Sequence, residues 1–257
     1  MTLLRRLGNK ERLADRIIQY FPSETNQFVD LFFGSGSMTI KMARRCKHIF
    51  ANDIDDDVFN LFQVIQNNRE ELYKQFELMP QHSSLFKYWN KSNETDKVMK
   101  AVRFVFLSNF GYMGKTETFH LIRSNSKENF LSGIEEAFRE LQNVKFSCCD
   151  FRDFFKNLTF KEEKEKTLIY ADPPYLSTTH NYKNGFSEKD FIELLEVLTK
   201  TSIRFCISEF NNEFIIREAQ GRNLNVVELG ERRTLKNRNV EILIMNYSPP
   251  RQMKIIL

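Results

Sequence analysis

DLFFGSGS, Asp30 to Ser37, is the stretch that decides the fold. The pattern from Gln27 to Phe33 predicts a strand, Gly34-Ser35-Gly36 a sharp turn, and Met38 to Cys46 the helix that follows. Glycines let the backbone turn tightly and let a ligand approach it closely. A dinucleotide fingerprint would carry a third glycine, but Thr39 stands at that position. The next strand, Lys47 to Asn52, ends in Asp53, at the interval of about 20 residues where an acid can accept hydrogen bonds from ribose hydroxyls. Asp53 could equally cap the helix that begins among Asp55, Asp56 and Asp57. Together, turn and acid favour an adenosyl cofactor without a pyrophosphate. S-adenosylmethionine fits that description.

Working outward, Lys10 to Tyr20 reads as an amphipathic helix with Leu13, Ile17 and Phe21 on one face, ended by Pro22. A long helical stretch is expected from Asp56 to about Leu78. Gln81 to Thr95 reads as polar and irregular, and Asp96 to Phe110 as helical. GYMGKTETFHLIRSNSKENF then reads as a loop or hairpin. A helix from about Lys127 to Leu141 leads into a strand at Val144 to Cys148. After the charged loop KEEKEK come a strand at Thr167 to Ala171, a helix at Glu188 to Lys200, and strands at Ile203 to Ser208, Asn223 to Leu229 and Val240 to Tyr247. Alternating strands and helices predict a parallel sheet covered on both faces. The last two strands are too close in sequence for a crossover helix, so one strand is expected to run antiparallel.

YADPPYLS, Tyr170 to Ser177, lies where a parallel strand ends, facing the ligand crevice. Asp172 offers an acceptor, Pro173 a carbonyl on a stiff backbone, and Tyr175 a flat ring. Pro174 adds to the stiffness, since proline fixes φ and has no N–H. The set suits a planar molecule with an exocyclic amine. A proline turn capped by an aspartate is the plainer reading. FSCCDFRDFF sits at another strand end. Asp150 could accept from an adenine amine and Phe151 could pack on the ring, and Asp150 could also cap a helix from Arg152. Gly114-Lys115-Thr116 mimics the tail of a phosphate loop, but Asn109 stands where that loop needs glycine.

The chain has 257 residues, 41% hydrophobic and 28% charged, with 25 phenylalanines, which suits a packed globular protein. Its net charge of +4 is mildly basic. Cys46, Cys148, Cys149 and Cys206 show no C-x-x-C spacing, so no metal is expected and the thiols should be reduced. No apolar run nears the ~20 residues of a membrane span, and the first residues lack an apolar signal core. A cytoplasmic protein, with no membrane partner, is the expectation.

In chain order, LGNK, DLFFGSGS, ANDI, CCDFRD and ADPPY resemble the DNA adenine-N6 methyltransferases of the Dam family, from about Gly8 to Tyr247. The resemblance implies a class I S-adenosylmethionine-dependent methyltransferase sheet, mostly parallel with one antiparallel strand, plus an inserted, mainly helical target-recognition domain. It implies that Lys10 lies near the cofactor, that Phe32, Gly34 and Gly36 form its binding turn, that Asp53 binds its ribose, and that Asp150 and Phe151 hold its adenine. Asp172, Pro173, Pro174 and Tyr175 match the catalytic box, with Asp172 also bordering the cofactor. Double-stranded DNA is the implied partner, with a flipped adenine as target and direct transfer without a covalent enzyme intermediate. A cognate restriction endonuclease is the further partner such systems allow.

The interval from Gly36 to Asp172 exceeds the ~30 residues per strand-helix-strand unit by roughly 50 in all. The organisation expected is therefore a catalytic domain from residues 1–66 and 144–257, with residues 67–143 inserted for target recognition. Tyr112, Met113 and Lys115 are candidates to enter a DNA groove or fill the gap left by a flipped base, and Lys115, Arg123 and Lys127 to touch phosphates. Arg232, Arg233, Lys236 and Arg238 form a second basic cluster, either a phosphate clamp or a solvated hairpin tip. NFGYMGKTETF departs from the family's usual hairpin, so recognition of GATC is not carried over. Rival readings keep the fold with cytosine N4, an RNA base or a protein glutamine as acceptor, or assign the glycine turn to a nicotinamide cofactor.

Overall fold

The computed structural model describes residues 3–4, 10–111, 119, 126–156, 158, 160, 163–176, 185–233 and 238–249. Strands β1 (Gln27–Asp30), β2 (His48–Asn52), β3 (Val144–Ser147), β4 (Thr167–Ala171), β5 (Arg204–Phe210), β6 (Asn225–Arg233) and β7 (Arg238–Met245) form one seven-stranded sheet in the order β3-β2-β1-β4-β5-β7-β6. The pairs β1–β2, β1–β4, β2–β3 and β4–β5 are parallel. β7 is antiparallel to both neighbours, β5 and β6, so it alone is reversed, as the short connection predicts. The strand order reverses direction between β1 and β4, and in open α/β sheets ligands bind at that switch point. DLFFGSGS follows β1 and ADPPY follows β4, so the two motifs flank it.

β1 and β4 are buried at every position because helices cover both faces. On one face α1 (Glu11–Ile18), α2 (Ser37–Ala43) and α3 (Asp56–Asn67) pack over Phe28, Ile49 and Tyr170. The same buried cluster continues without a break through α4 (Arg69–Leu78), α5 (Ser83–Trp89), α6 (Lys97–Phe110) and α7 (Ser126–Leu141), with Phe76, Phe106 and Phe130 at its centre. On the other face α8 (Phe151–Phe154), α9 (Glu188–Thr201) and α10 (Glu213–Gln220) cover Val29, Ile169 and Phe205. Each fully buried phenylalanine stabilises the fold by about 1.5–3 kcal/mol relative to exposure.

Local chemistry explains several boundaries. Asp55 accepts the N–H of Asp57 and starts α3; Asp96 does the same for Met99 at α6. Ser187 and Asp190 form a reciprocal capping box at α9. The single helix expected from Asp56 to Leu78 is two, because Asn68 leaves helical geometry at φ −138° and ψ 32°. The stretch expected to be irregular contains α5, started by the His82 side chain accepting from Ser84 N–H. α10, which the sequence reading passes over, is capped by Asn212.

Candidate active site

The glycine turn needs its glycines. Gly34 and Gly36 have φ of 55° and 79°, a region other residues adopt at a cost. A Cβ on Gly36 would stand 2.8 Å from Phe33 Cζ and 3.2 Å from Phe62 Cζ. A Cβ on Gly34 would meet nothing closer than a backbone oxygen at 3.9 Å, so the backbone there is open to a ligand. Asp53 ties the turn to β2: its Oδ2 accepts Gly34 N–H at 2.7 Å and its Oδ1 accepts Asp55 N–H at 2.9 Å. The helix cap is Asp55.

Beneath the turn lies a residue the sequence reading missed. Asp30 is buried at the end of β1, and Thr39 donates to its Oδ2 at 2.7 Å. Thr39 thus has a task where a dinucleotide site would have glycine. Asp30 Oδ1 has no hydrogen-bond partner among the described residues. Burial, reinforced by the charges of Asp172 and Asp53 against the Thr39 bond, pushes its carboxyl up to about 7. A positively charged ligand group above the turn would find an acceptor here. Asn52, also missed, joins the strand ends: it donates to Cys149 O at 2.9 Å and accepts Ser147 Oγ–H at 2.8 Å.

Asp150 follows β3 and takes the capping role the sequence allows. It caps α8 by accepting Arg152 N–H at 2.9 Å and stands at the carboxyl end of the sheet. Arg152 bonds Asp150 Oδ2 at 3.0 Å, reaches Asp190 and Glu193 on α9, and sits 4.3 Å over the Phe151 ring. Phe32 and Phe151 come together, 5.7 Å between ring centroids, with Phe186 closing the group at 6.1 and 6.3 Å. The result is an aromatic wall beside an acid, suited to a purine.

Lys10, Asp172 and Tyr175 also converge. Lys10 precedes α1 and is only 3% exposed. Its ammonium lies 2.9 Å from Asp172 Oδ1 and 2.9 Å from Glu241 Oε1, bonds the Tyr175 hydroxyl, and sits 4.3 Å from the Tyr175 ring centroid. Tyr175 donates to Glu241 Oε1 at 2.6 Å and meets Phe210 edge to face at 4.4 Å. Tyr175 is only 6% exposed, with Lys10 over its ring and Phe210 against it, so the structure buries the ring that the sequence offers as a stacking face. Asp172 keeps 18% of its side chain exposed. Burial raises its carboxyl above the usual range, Lys10 opposes that, and Glu241 adds to it. Glu241 and Glu209 are further omissions of the sequence reading; the signal was available in both cases, an acid inside a mostly apolar strand. Glu209 accepts Phe210 N–H at 2.9 Å, and burial pushes its carboxyl well up.

Of the candidate DNA contacts, Tyr112, Met113, Lys115, Arg123 and Lys236 lie outside the described residues. Lys127 is on α7, where its ammonium donates to Met79 O at 3.0 Å, just past the end of α4. Arg232 and Arg233 pair across the β6–β7 hairpin with Asn239 and Arg238, their side chains lying outside what is described.

A family model for D12 class N6 adenine-specific DNA methyltransferases matches residues 7–238. The chain is 27% identical over 279 residues to the modification methylase StsI of Streptococcus sanguinis, covering 94% of this chain and 42% of that protein. It is 23% identical over 280 residues to the type II methyltransferase M.FokI of Planomicrobium okeanokoites, with coverage of 94% and 42%. Against the Retron Ec67 DNA adenine methylase of Escherichia coli it is 27% identical over 212 residues, covering 77% of this chain and 72% of that one. The chain thus spans about two fifths of the length of the first two relatives.

Proposed function

The chain belongs to the D12 class N6 adenine-specific DNA methyltransferases, and on that premise we propose that it methylates the N6 amine of an adenine turned out of duplex DNA, with S-adenosylmethionine as donor. The observation that carries the reading is the placement of two sites on either side of one switch point: the Gly34–Gly36 turn with Asp30 and Asp53 after β1, and Asp172 held by Lys10 after β4.

S-adenosylmethionine, when bound, supplies a methyl group activated by its sulfonium. The residues present fit it. Asp53 can receive the ribose hydroxyls, Phe32, Phe151 and Asp150 can hold the adenine, and the buried Asp30 oxygen can receive a positive charge. No phosphate-cradling third glycine is needed, and Thr39 occupies that place.

For the acceptor, Asp172 and the Pro173 carbonyl take the two amine hydrogens in this reading, drawing the nitrogen lone pair outward. The amine of a paired adenine is buried in the duplex, so the base must leave the stack to reach Asp172. The protein's share is then orientation and electrostatics. Target recognition falls to residues 67–143 and to the basic β6–β7 tip in this reading, and a restriction endonuclease protected by the methylation is the proposed biological partner.

The test is Asp172→Ala, followed by transfer of radiolabelled methyl to DNA and by calorimetric titration. Loss of transfer by at least about 1,000-fold, with S-adenosylmethionine affinity within a few-fold, is expected. Undiminished labelling by the variant would remove Asp172 from the chemistry. Binding of a nicotinamide cofactor in place of S-adenosylmethionine would overturn the reading of the glycine turn.

A further inference from the structure

Glu241 stands in an otherwise apolar run, Val240 to Met245, buried from Ile242 onward, and is itself 1% exposed. A carboxylate there costs several kcal/mol unless paired and hydrogen-bonded, so its position calls for a reason beyond packing. The register places it opposite Phe210 on β5 and Gly230 on β6. The β6 register shifts between Glu228 and Gly230, directly across from it, and Gly230 has φ 117°. Such bulges bend a strand and re-aim a side chain, and they recur beside active sites. Arg16 of α1 bonds the carbonyl of Leu229, the residue inside the shift. Glu241 therefore points into the Lys10–Asp172–Tyr175 group from a purpose-bent hairpin.

Two carboxylates share one ammonium: Lys10 Nζ is equidistant, at 2.9 Å, from Asp172 Oδ1 and Glu241 Oε1. The Tyr175 hydroxyl donates to the same Glu241 oxygen. We propose that Glu241 is a positioning residue for methyl transfer: by holding half of Lys10 and the Tyr175 hydroxyl, it leaves the Asp172 carboxylate basic enough to take the proton that the target amine sheds. This rests on the function proposed above. In that reaction one N–C bond replaces one S–C bond of the sulfonium donor, positive charge passes from sulfur to nitrogen, and the Asp172 carboxylate accepts the proton that nitrogen then releases. With Glu241 neutral, Lys10 would turn its full charge on Asp172 and make it a weaker base. Among the described residues, the charged and titratable groups around Asp172 are Lys10, Glu241 and Tyr175, with Tyr170 on β4, Glu209 on β5 and Asp30 on β1 also within reach of its charge. Glu241→Gln changes one charge in that set and keeps the side-chain shape.

Two readouts test this. In the ligand-free protein, carbon-13 labelled aspartate is titrated by NMR, with the Asp172 resonance assigned through Asp172→Asn. The Asp172 midpoint should fall by about one pH unit in Glu241→Gln and by less in Glu241→Asp, which also serves if the glutamine variant does not fold. In single-turnover methylation of duplex DNA, Glu241→Gln should lower the rate constant about tenfold, move its acid limb to lower pH, and leave the DNA KM within about twofold. An unshifted Asp172 midpoint overturns the proposal, as does a rate loss with the acid limb unmoved. If the unaltered protein methylates no adenine, the proposed function fails separately, and the NMR titration still decides what Glu241 does to Asp172.

Discussion

Asp30 shows how one residue can carry both a fold and a pH dependence. Its carboxyl is pushed up to about 7 in the folded chain against an ordinary value of 3.8. Between those values the folded protein holds a proton that the unfolded chain has lost. Stability from this group is therefore full below pH 3.8, declines as pH rises through 7, and levels off above it. Asp30→Asn should flatten that decline and raise the urea midpoint at pH 8 relative to the unaltered protein, by a margin that disappears near pH 4. Equal midpoints at both pH values would show that Asp30 is not held neutral. At the same scale, the placement of most candidate residues was legible: Gly34, Gly36, Asp53, Asp150, Phe151 and Asp172 follow strand ends whose pattern announces them. Asp30 and Asn52 were not, because each acts from within a strand, where periodicity marks a position as core and says nothing of what a polar side chain there must hold; Glu241 was legible only as an acid in an apolar run, without its partners.

At the scale of elements, the glycine turn is the joint between β1 and α2. Gly36→Ala places a methyl 2.8 Å from the Phe33 ring in a left-handed backbone conformation. A loss of about 2–4 kcal/mol of unfolding free energy, read from chemical denaturation, is expected from strain and crowding together. Gly34→Ala keeps a similar backbone cost but meets open space, so it should lose less stability and lose cofactor affinity instead. The strands were readable in order and number because each is a short apolar run bounded by turn residues. The helices were read less well. The apolar pattern of α3 carries on into α4, with Leu72 and Phe76 buried, so nothing in periodicity marks the break at Asn68. α5 has seven residues, of which Phe86 and Trp89 are buried, too few to show a stripe within a polar stretch.

At the scale of the whole molecule, the sheet and the helical region from residue 67 to 143 share one buried cluster. The interval between Gly36 and Asp172 announced extra chain, but only packing shows that this chain is continuous with the core beside α1 and α3. Substitutions at Phe106 should therefore lower the stability of the entire protein in a single cooperative transition, with Phe106→Ala costing about 3–5 kcal/mol. Two separate unfolding transitions would contradict a shared core. For the basic β6–β7 tip, Arg232→Glu with Arg233→Glu should weaken duplex binding and reduce its salt slope by about one per cation lost, while cofactor affinity is kept.

The most direct measurement of the central claim is the identity of the product. Duplex DNA is incubated with the purified protein and S-adenosylmethionine, digested to nucleosides and resolved by mass spectrometry. The account predicts N6-methyldeoxyadenosine from the unaltered protein and none from Asp172→Ala. N4-methyldeoxycytidine, or transfer to protein with unmodified DNA, would contradict it.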